Sequence, residues 1–133
     1  KGSWGLPKGY INENELPSHA ALRELSEECN VNGRIIGVQA IRERLLKEVP
    51  AIFIAYLVEL PGDQEPTPGE EVTETRFVHA DEFGELNWIS DAMHSMAVSA
   101  VNSNQALQTI DYEPQQGHPY MLHTLPKTWG GEA

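Results

Sequence analysis

Apolar positions recur along the chain with two different periods. From Pro17 to Cys29 the residues Ala21, Leu22, Leu25 and Cys29 fall at helical spacing, and Pro17 suits the first helical turn, where its missing N–H does no harm. This spacing predicts a helix over 17–29. Residues 34–44 (RIIGVQAIRER) and 51–60 (AIFIAYLVEL) are rich in β-branched and aromatic side chains and read as strands. The short segment 45–50 allows a hairpin-like connection, so the two strands are expected to be antiparallel neighbours. A third strand is expected at 74–79 (ETRFVH), and a second helix from Asp91 to Gln105 with Ser90 as N-cap. Its apolar face, Met93, Met96, Ala97, Ala100 and Val101, reads as core packing rather than as a cofactor surface.

Pro/Gly-rich breaks at 2–9, 60–69 and 113–119 separate these elements, and there is no internal repeat. A chain of 133 residues, 40% hydrophobic and 22% charged, suits a single globular domain. No run approaches the roughly 20 apolar residues of a membrane-spanning helix, and no signal-peptide pattern opens the chain, so a soluble, cytoplasmic protein is expected. With 20 Asp+Glu against 9 Lys+Arg, the formal charge of -11 argues against non-specific binding to nucleic acid or to an anionic membrane. An anionic substrate would need a cation to mediate. The lone Cys29 excludes an internal disulfide and a cysteine-based zinc site, which leaves oxygen and imidazole as metal ligands.

Carboxylates crowd one side of the first predicted helix. Glu24 and Glu28 are one turn apart and Glu27 lies about 60° around the helix from Glu24. Like charges at this spacing repel, and a hard divalent cation is their natural counter-charge. The alternative is a solvated acidic helix face. In the loop ahead of the helix, Gly9 permits close backbone approach and can aim its carbonyl at the same ion.

Gly9, Glu15, Arg23, Glu24, Leu25, Glu27, Glu28 and Val31 together resemble the Nudix hydrolase box, Gly-x5-Glu-x7-Arg-Glu-aliphatic-x-Glu-Glu-x-Gly-aliphatic. Chance agreement at one starting point is on the order of 10⁻⁷ to 10⁻⁸ from average residue frequencies. Asn30 stands where the family has Gly. The position follows the helix and is expected to adopt the left-handed conformation, which Asn tolerates best after Gly. Trp4–Gly9 (WGLPKG), Glu71–Val78 (EVTETRFV) and Asp81–Phe83 (DEF) resemble the family's flanking segments, so the likeness spans about Trp4 to Gln105.

The resemblance implies an α/β fold, a Nudix-like α/β/α sandwich with a mixed sheet, here expected to lack the usual N-terminal strands. Residues 1–106 would form the domain, and 107–133 a tail, docked or partly disordered, with Tyr112, Tyr120, Leu122 and Trp129 available for docking. A homodimer, with segments exchanged, would cover the open sheet edge that missing strands leave.

For the site, the resemblance implies that Glu27 and Glu28 ligate Mg²⁺ (Mn²⁺ being a substitute), with a backbone carbonyl from Gly9. Glu24 would be a further ligand or the proton acceptor, and Arg23 with Glu15 the ion pair that holds the loop to the helix. The implied reaction is attack of a metal-activated water on a diphosphate linkage, without a covalent enzyme intermediate. Glu70, Glu71 and Glu74 are candidate general bases, of which Glu71 is chosen. Lys8 would contact a substrate phosphate as a point charge, or be a free surface lysine. Arg42, Arg44 and Lys47 form a basic cluster that could receive distal phosphates or serve only as solvated hairpin charge. Trp4, Phe53, Tyr56 and Trp88 could stack on a nucleobase or belong to the core. The expected function is hydrolysis of a small nucleotide substrate; the alternative is a non-catalytic nucleotide-binding or regulatory module of the same fold.

Overall fold

The computed structural model describes residues 2–103, 105–110 and 119–126. Helix α1 (Pro17–Cys29) has the predicted bounds, with Pro at the N-terminal end and no side-chain cap at Leu16. It ends at Asn30, which takes the expected left-handed conformation (φ 57°, ψ 37°) while its N–H donates to Ser26 O at 3.0 Å.

Strands β1 (Arg34–Leu46) and β2 (Val49–Glu59) pair antiparallel and run longer than predicted. They close through the two residues Lys47 and Glu48, both at positive φ (51° and 67°), the backbone of a type I′ hairpin turn. Neither residue is the Gly or Asn that such a turn favours. Tertiary pairing of Leu46 with Val49 and Leu45 with Pro50 sets this turn against local preference, and so 45–46 and 49–50 belong to strands rather than to a loop.

Helix α2 (Asp91–Asn102) starts as predicted, with the Ser90 side chain accepting from the Met93 N–H at 3.2 Å. It stops short of Gln105 because the Ser103 hydroxyl engages both the N–H and the carbonyl of Gln105 and turns the chain away. Met93, Met96 and Ala97 are buried as expected, whereas Val101 faces solvent. With Ala20, Val31, Val38 and Phe83 they form the buried apolar core.

The strand expected at 74–79 does not form. That segment is irregular and leads into a 3₁₀ turn at Ala80–Glu85. The third and fourth strands come from further along the chain: β3 (Leu107–Ile110) pairs with β1 at Gly37 and Val38 and then with β4 (Leu122–Thr124). The sheet order is β2-β1-β3-β4, and all of its pairings are antiparallel. The parallel element expected of a mixed sheet is reduced to an isolated bridge between Trp4 and Trp88. Both added strands come from the segment expected to be a tail. Tyr112, His118 and Trp129 of that segment lie outside the described residues.

Helix α1 rests on β1 and β2, and α2 on β1 and the 3₁₀ turn, giving the α/β architecture expected of a Nudix-like fold. No helix among the described residues is long and apolar enough to cross a membrane. The β1–β2 ribbon runs past β3 and leaves Ile41, Leu45, Val49 and Ile52 exposed.

Candidate active site

Three segments meet at the acidic face of α1. The first is the loop from Trp4 to Glu15, held at its start by Trp4 N–H to Asn87 O and Ile89 N–H to Trp4 O, each 2.8 Å. Further on, the Lys8 N–H donates to Glu28 Oε1 at 2.8 Å, and so the loop passes directly over the helix. A Cβ at Gly9 would fall well inside the van der Waals envelope of the Glu24 carboxyl group, so any larger residue there would displace that carboxylate.

Arg23 is the centre of the second arrangement. Its Nε and Nη2 grip both oxygens of Glu15 (2.7 and 3.1 Å), Nη2 also reaches the Tyr10 carbonyl (2.8 Å), and Nη1 donates to Glu24 Oε1 (2.8 Å) and Glu27 Oε1 (3.0 Å). The Asn12 N–H completes the Glu15 site at 2.9 Å. The Arg23 hydrogen bonds, then the Asn12 N–H, hold the Glu15 carboxyl below its ordinary value of 4.5. The hydrogen bonds that Arg23 donates to Glu15 and Glu24 reciprocally raise the guanidinium's pKa. The Arg23–Glu15 pair expected from the motif is therefore present, and it extends to two carboxylates of the acidic face.

The third segment is the loop that follows β2. Thr67 N–H donates to Cys29 O (2.9 Å), Gly69 N–H to Glu28 O (3.1 Å), and the Asn30 side-chain amide to Thr67 O (2.9 Å). Gly69 lies so close to the Glu27 carbonyl that a Cβ would overlap helix backbone, which cannot give way. Glu70 and Glu71 follow at once. They face Glu24, Glu27 and Glu28 across an open cleft of about 390 Å³ that Val72 also lines. Of the candidate bases, Glu71 and Glu70 line this cleft and Glu74 does not.

Burial in this cleft pushes the Glu28 carboxyl above 4.5; the Lys8 N–H opposes the shift, and the charges of Glu24 and Glu27 reinforce it. Cys29, on the neighbouring face, has its thiol pushed up by burial and then by Glu28. Glu24, Glu27 and Glu28 each have one oxygen engaged by Arg23 or the Lys8 N–H; their second oxygens make no hydrogen bond among the described residues. No three of the described His, Cys, Asp or Glu side chains already converge as a metal cage. The donor set nonetheless fits a hard divalent ion, since it consists of carboxylate oxygens beside a glycine cradle, with a repulsion that a cation would relieve.

The basic residues are distributed differently. Lys8 is exposed at the rim of a smaller apolar recess beside the cleft, between α1 and β2, to which Gly9, Glu24, Ile52 and Tyr56 also belong. Arg42 pairs across the hairpin with Phe53 and Arg44 with Ala51, so by strand alternation both project from the face opposite Ile52, Ile54 and Tyr56. Arg42 instead places its guanidinium 4.9 Å from the Phe53 ring centre. The structure brings neither arginine to the carboxylates.

The aromatic candidates are likewise engaged. Trp88 stacks on His94 and meets Phe83 edge-on, Trp4 carries Arg76 over its ring, and Tyr56 contacts His123. The spacing pattern missed Gly69 and the Asn30–Thr67 bond. The Pro-Thr-Pro-Gly stretch before Glu70 was the available signal for a tightly docked loop.

The NUDIX domain family model matches residues 1–97, and the chain belongs to this family. Membership supports a Nudix-type pyrophosphohydrolase acting on phosphoanhydride bonds. No curated protein matches the chain.

Replacing Arg23 by Lys should be far from conservative, because an ammonium cannot reproduce the planar fork that serves three carboxylates and a carbonyl. The expected result is a 10- to 100-fold weaker apparent affinity for Mn²⁺, followed by electron paramagnetic resonance, as when a group that orients metal ligands is lost. Wild-type affinity in the variant would refute this organising role.

Proposed function

We propose that this protein is a Mg²⁺-dependent pyrophosphohydrolase that cleaves a diphosphate linkage in a nucleoside diphosphate bearing a further group, including nucleoside and dinucleoside polyphosphates. The observation that carries this reading is the meeting of Glu24, Glu27, Glu28, Glu70 and Glu71 on one open cleft beside Gly9. Glu24, Glu27, Glu28 and the Gly9 carbonyl would hold the cation, and Mn²⁺ would use the same hard oxygen donors. When bound, the cation neutralises phosphate charge and makes water a stronger acid.

The chain's own groups supply the rest. Lys8 meets a substrate phosphate as a point charge at the rim. Glu71 takes the proton of the attacking water, from a loop held against the ligand helix by main-chain bonds. Arg23 and Glu15 keep the carboxylates in place through hydrogen bonds rather than by touching substrate. No side-chain nucleophile is required.

The test is phosphate and pyrophosphate release, after coupled phosphatase treatment where needed. The panel covers nucleoside triphosphates, dinucleoside polyphosphates, nucleotide sugars and ADP-ribose, each with Mg²⁺ and with EDTA. Turnover of at least one class, abolished by EDTA, is expected. Nucleotide binding without any turnover would instead establish a sensor module.

A further inference from the structure

Asn30 does more than terminate α1. Its own N–H closes the helix on Ser26, while its side chain reaches the carbonyl of Thr67, 37 positions along the chain, at 2.9 Å. A carbonyl only accepts, so the group facing it is the amide NH₂. Thr67 N–H returns a bond to Cys29 O, and Gly69 N–H bonds Glu28 O. These two are main-chain bonds, available to many sequences. The third exists only because residue 30 combines tolerance of the left-handed conformation with a side-chain donor. Glycine would meet the first requirement and not the second.

The charges explain why such a bond matters. Glu70 and Glu71 stand on a loop that faces three carboxylates of α1, so without a cation the loop is repelled from the helix it rests on. We propose that Asn30 is a positioning residue whose amide tethers the Thr67–Gly69 loop to the end of α1 and so holds Glu71 at the cleft. The kinetic consequence rests on the hydrolytic reading above; the tether itself does not.

The experiment uses the full chain with Asn30→Gly, which keeps the backbone conformation and removes the donor. Asn30→Asp, which tolerates the same conformation but turns an acceptor toward Thr67 O, provides the second variant. In metal-free protein, amide exchange at Thr67, Gly69 and Val72 should quicken about three- to tenfold in both variants, the worth of one exposed hydrogen bond, with the α1 amides unchanged. On a substrate that the wild type turns over, kcat should fall by a similar factor. KM and Mn²⁺ affinity should stay within about twofold, and in a Glu71→Gln background Asn30→Gly should cause no further loss.

Unchanged exchange at Thr67 and Gly69 would overturn the tether, whatever the activity. Faster exchange with unchanged kcat, or a full loss that persists in the Glu71→Gln background, would overturn the positioning of Glu71. A wild-type chain with no turnover sinks the hydrolytic reading, and the exchange result then decides the tether alone.

Discussion

Replacing Glu28 by Gln should raise the Tm of the metal-free protein by about 1–3 °C while cutting Mg²⁺-dependent turnover by about 10²–10³-fold. Burial, reinforced by the charges of Glu24 and Glu27, lifts the Glu28 carboxyl above 4.5 against the opposing Lys8 N–H. Between 4.5 and the folded value, the folded protein retains a proton that the unfolded chain has released. Stability therefore declines as pH rises through that window, and ionised Glu28 is a net cost above it. Glutamine is nearly isosteric and can still accept from the Lys8 N–H, yet carries no charge to desolvate. It also removes an i, i+4 repulsion with Glu24, worth about 0.2–0.5 kcal/mol.

The same substitution removes a negative ligand, so Mg²⁺ should stabilise the wild type and leave the variant almost unmoved. Thermal unfolding with and without Mg²⁺, at several pH values, reads both effects. A lower metal-free Tm in the variant, or an equal metal-induced shift, would contradict the assignment of Glu28.

The second large effect is expected at Glu71. Glu71→Gln should lower kcat by about 10²–10⁴-fold, the usual worth of a general base, while KM, Mn²⁺ affinity and Tm change little. It lines the cleft with Glu70 on a loop fixed by backbone bonds, so the amide should disturb chemistry rather than fold. An undiminished kcat would transfer proton acceptance to Glu24 or Glu70, both of which border the same space.

These two residues also show how unevenly the sequence discloses the site. Glu28 was legible because helical periodicity alone puts it one turn from Glu24, and because the spacing of Gly9, Glu15 and Arg23 repeats a family pattern. Glu71 was one of three acidic candidates just after a Pro/Gly-rich stretch, and no periodicity singles out one carboxylate in a loop. Gly69, pressed against the Glu27 carbonyl, puts Glu70 and Glu71 rather than Glu74 at the cleft. Arg42 and Arg44 read as a basic cluster in sequence, yet strand alternation turns them to the face opposite Ile52 and Tyr56, where Arg42 pairs with an aromatic ring.

What the sequence by itself determined is local: the bounds of α1, the left-handed exit at Asn30, the Ser90 cap, the antiparallel β1–β2 pair and the carboxylate face. Each depends on residues within a few positions of one another, or on a period that one face must keep. Tertiary structure decided what depends on distant partners. The segment 74–79 stayed irregular, and the second edge of β1 went instead to β3, more than sixty residues beyond Gly37. The hairpin closed through Lys47 and Glu48 against their local preference because strand pairing outweighs turn propensity. The cleft itself arose only when the loop after β2 settled on the end of α1, a contact whose partners are too far apart in sequence for any local pattern to specify.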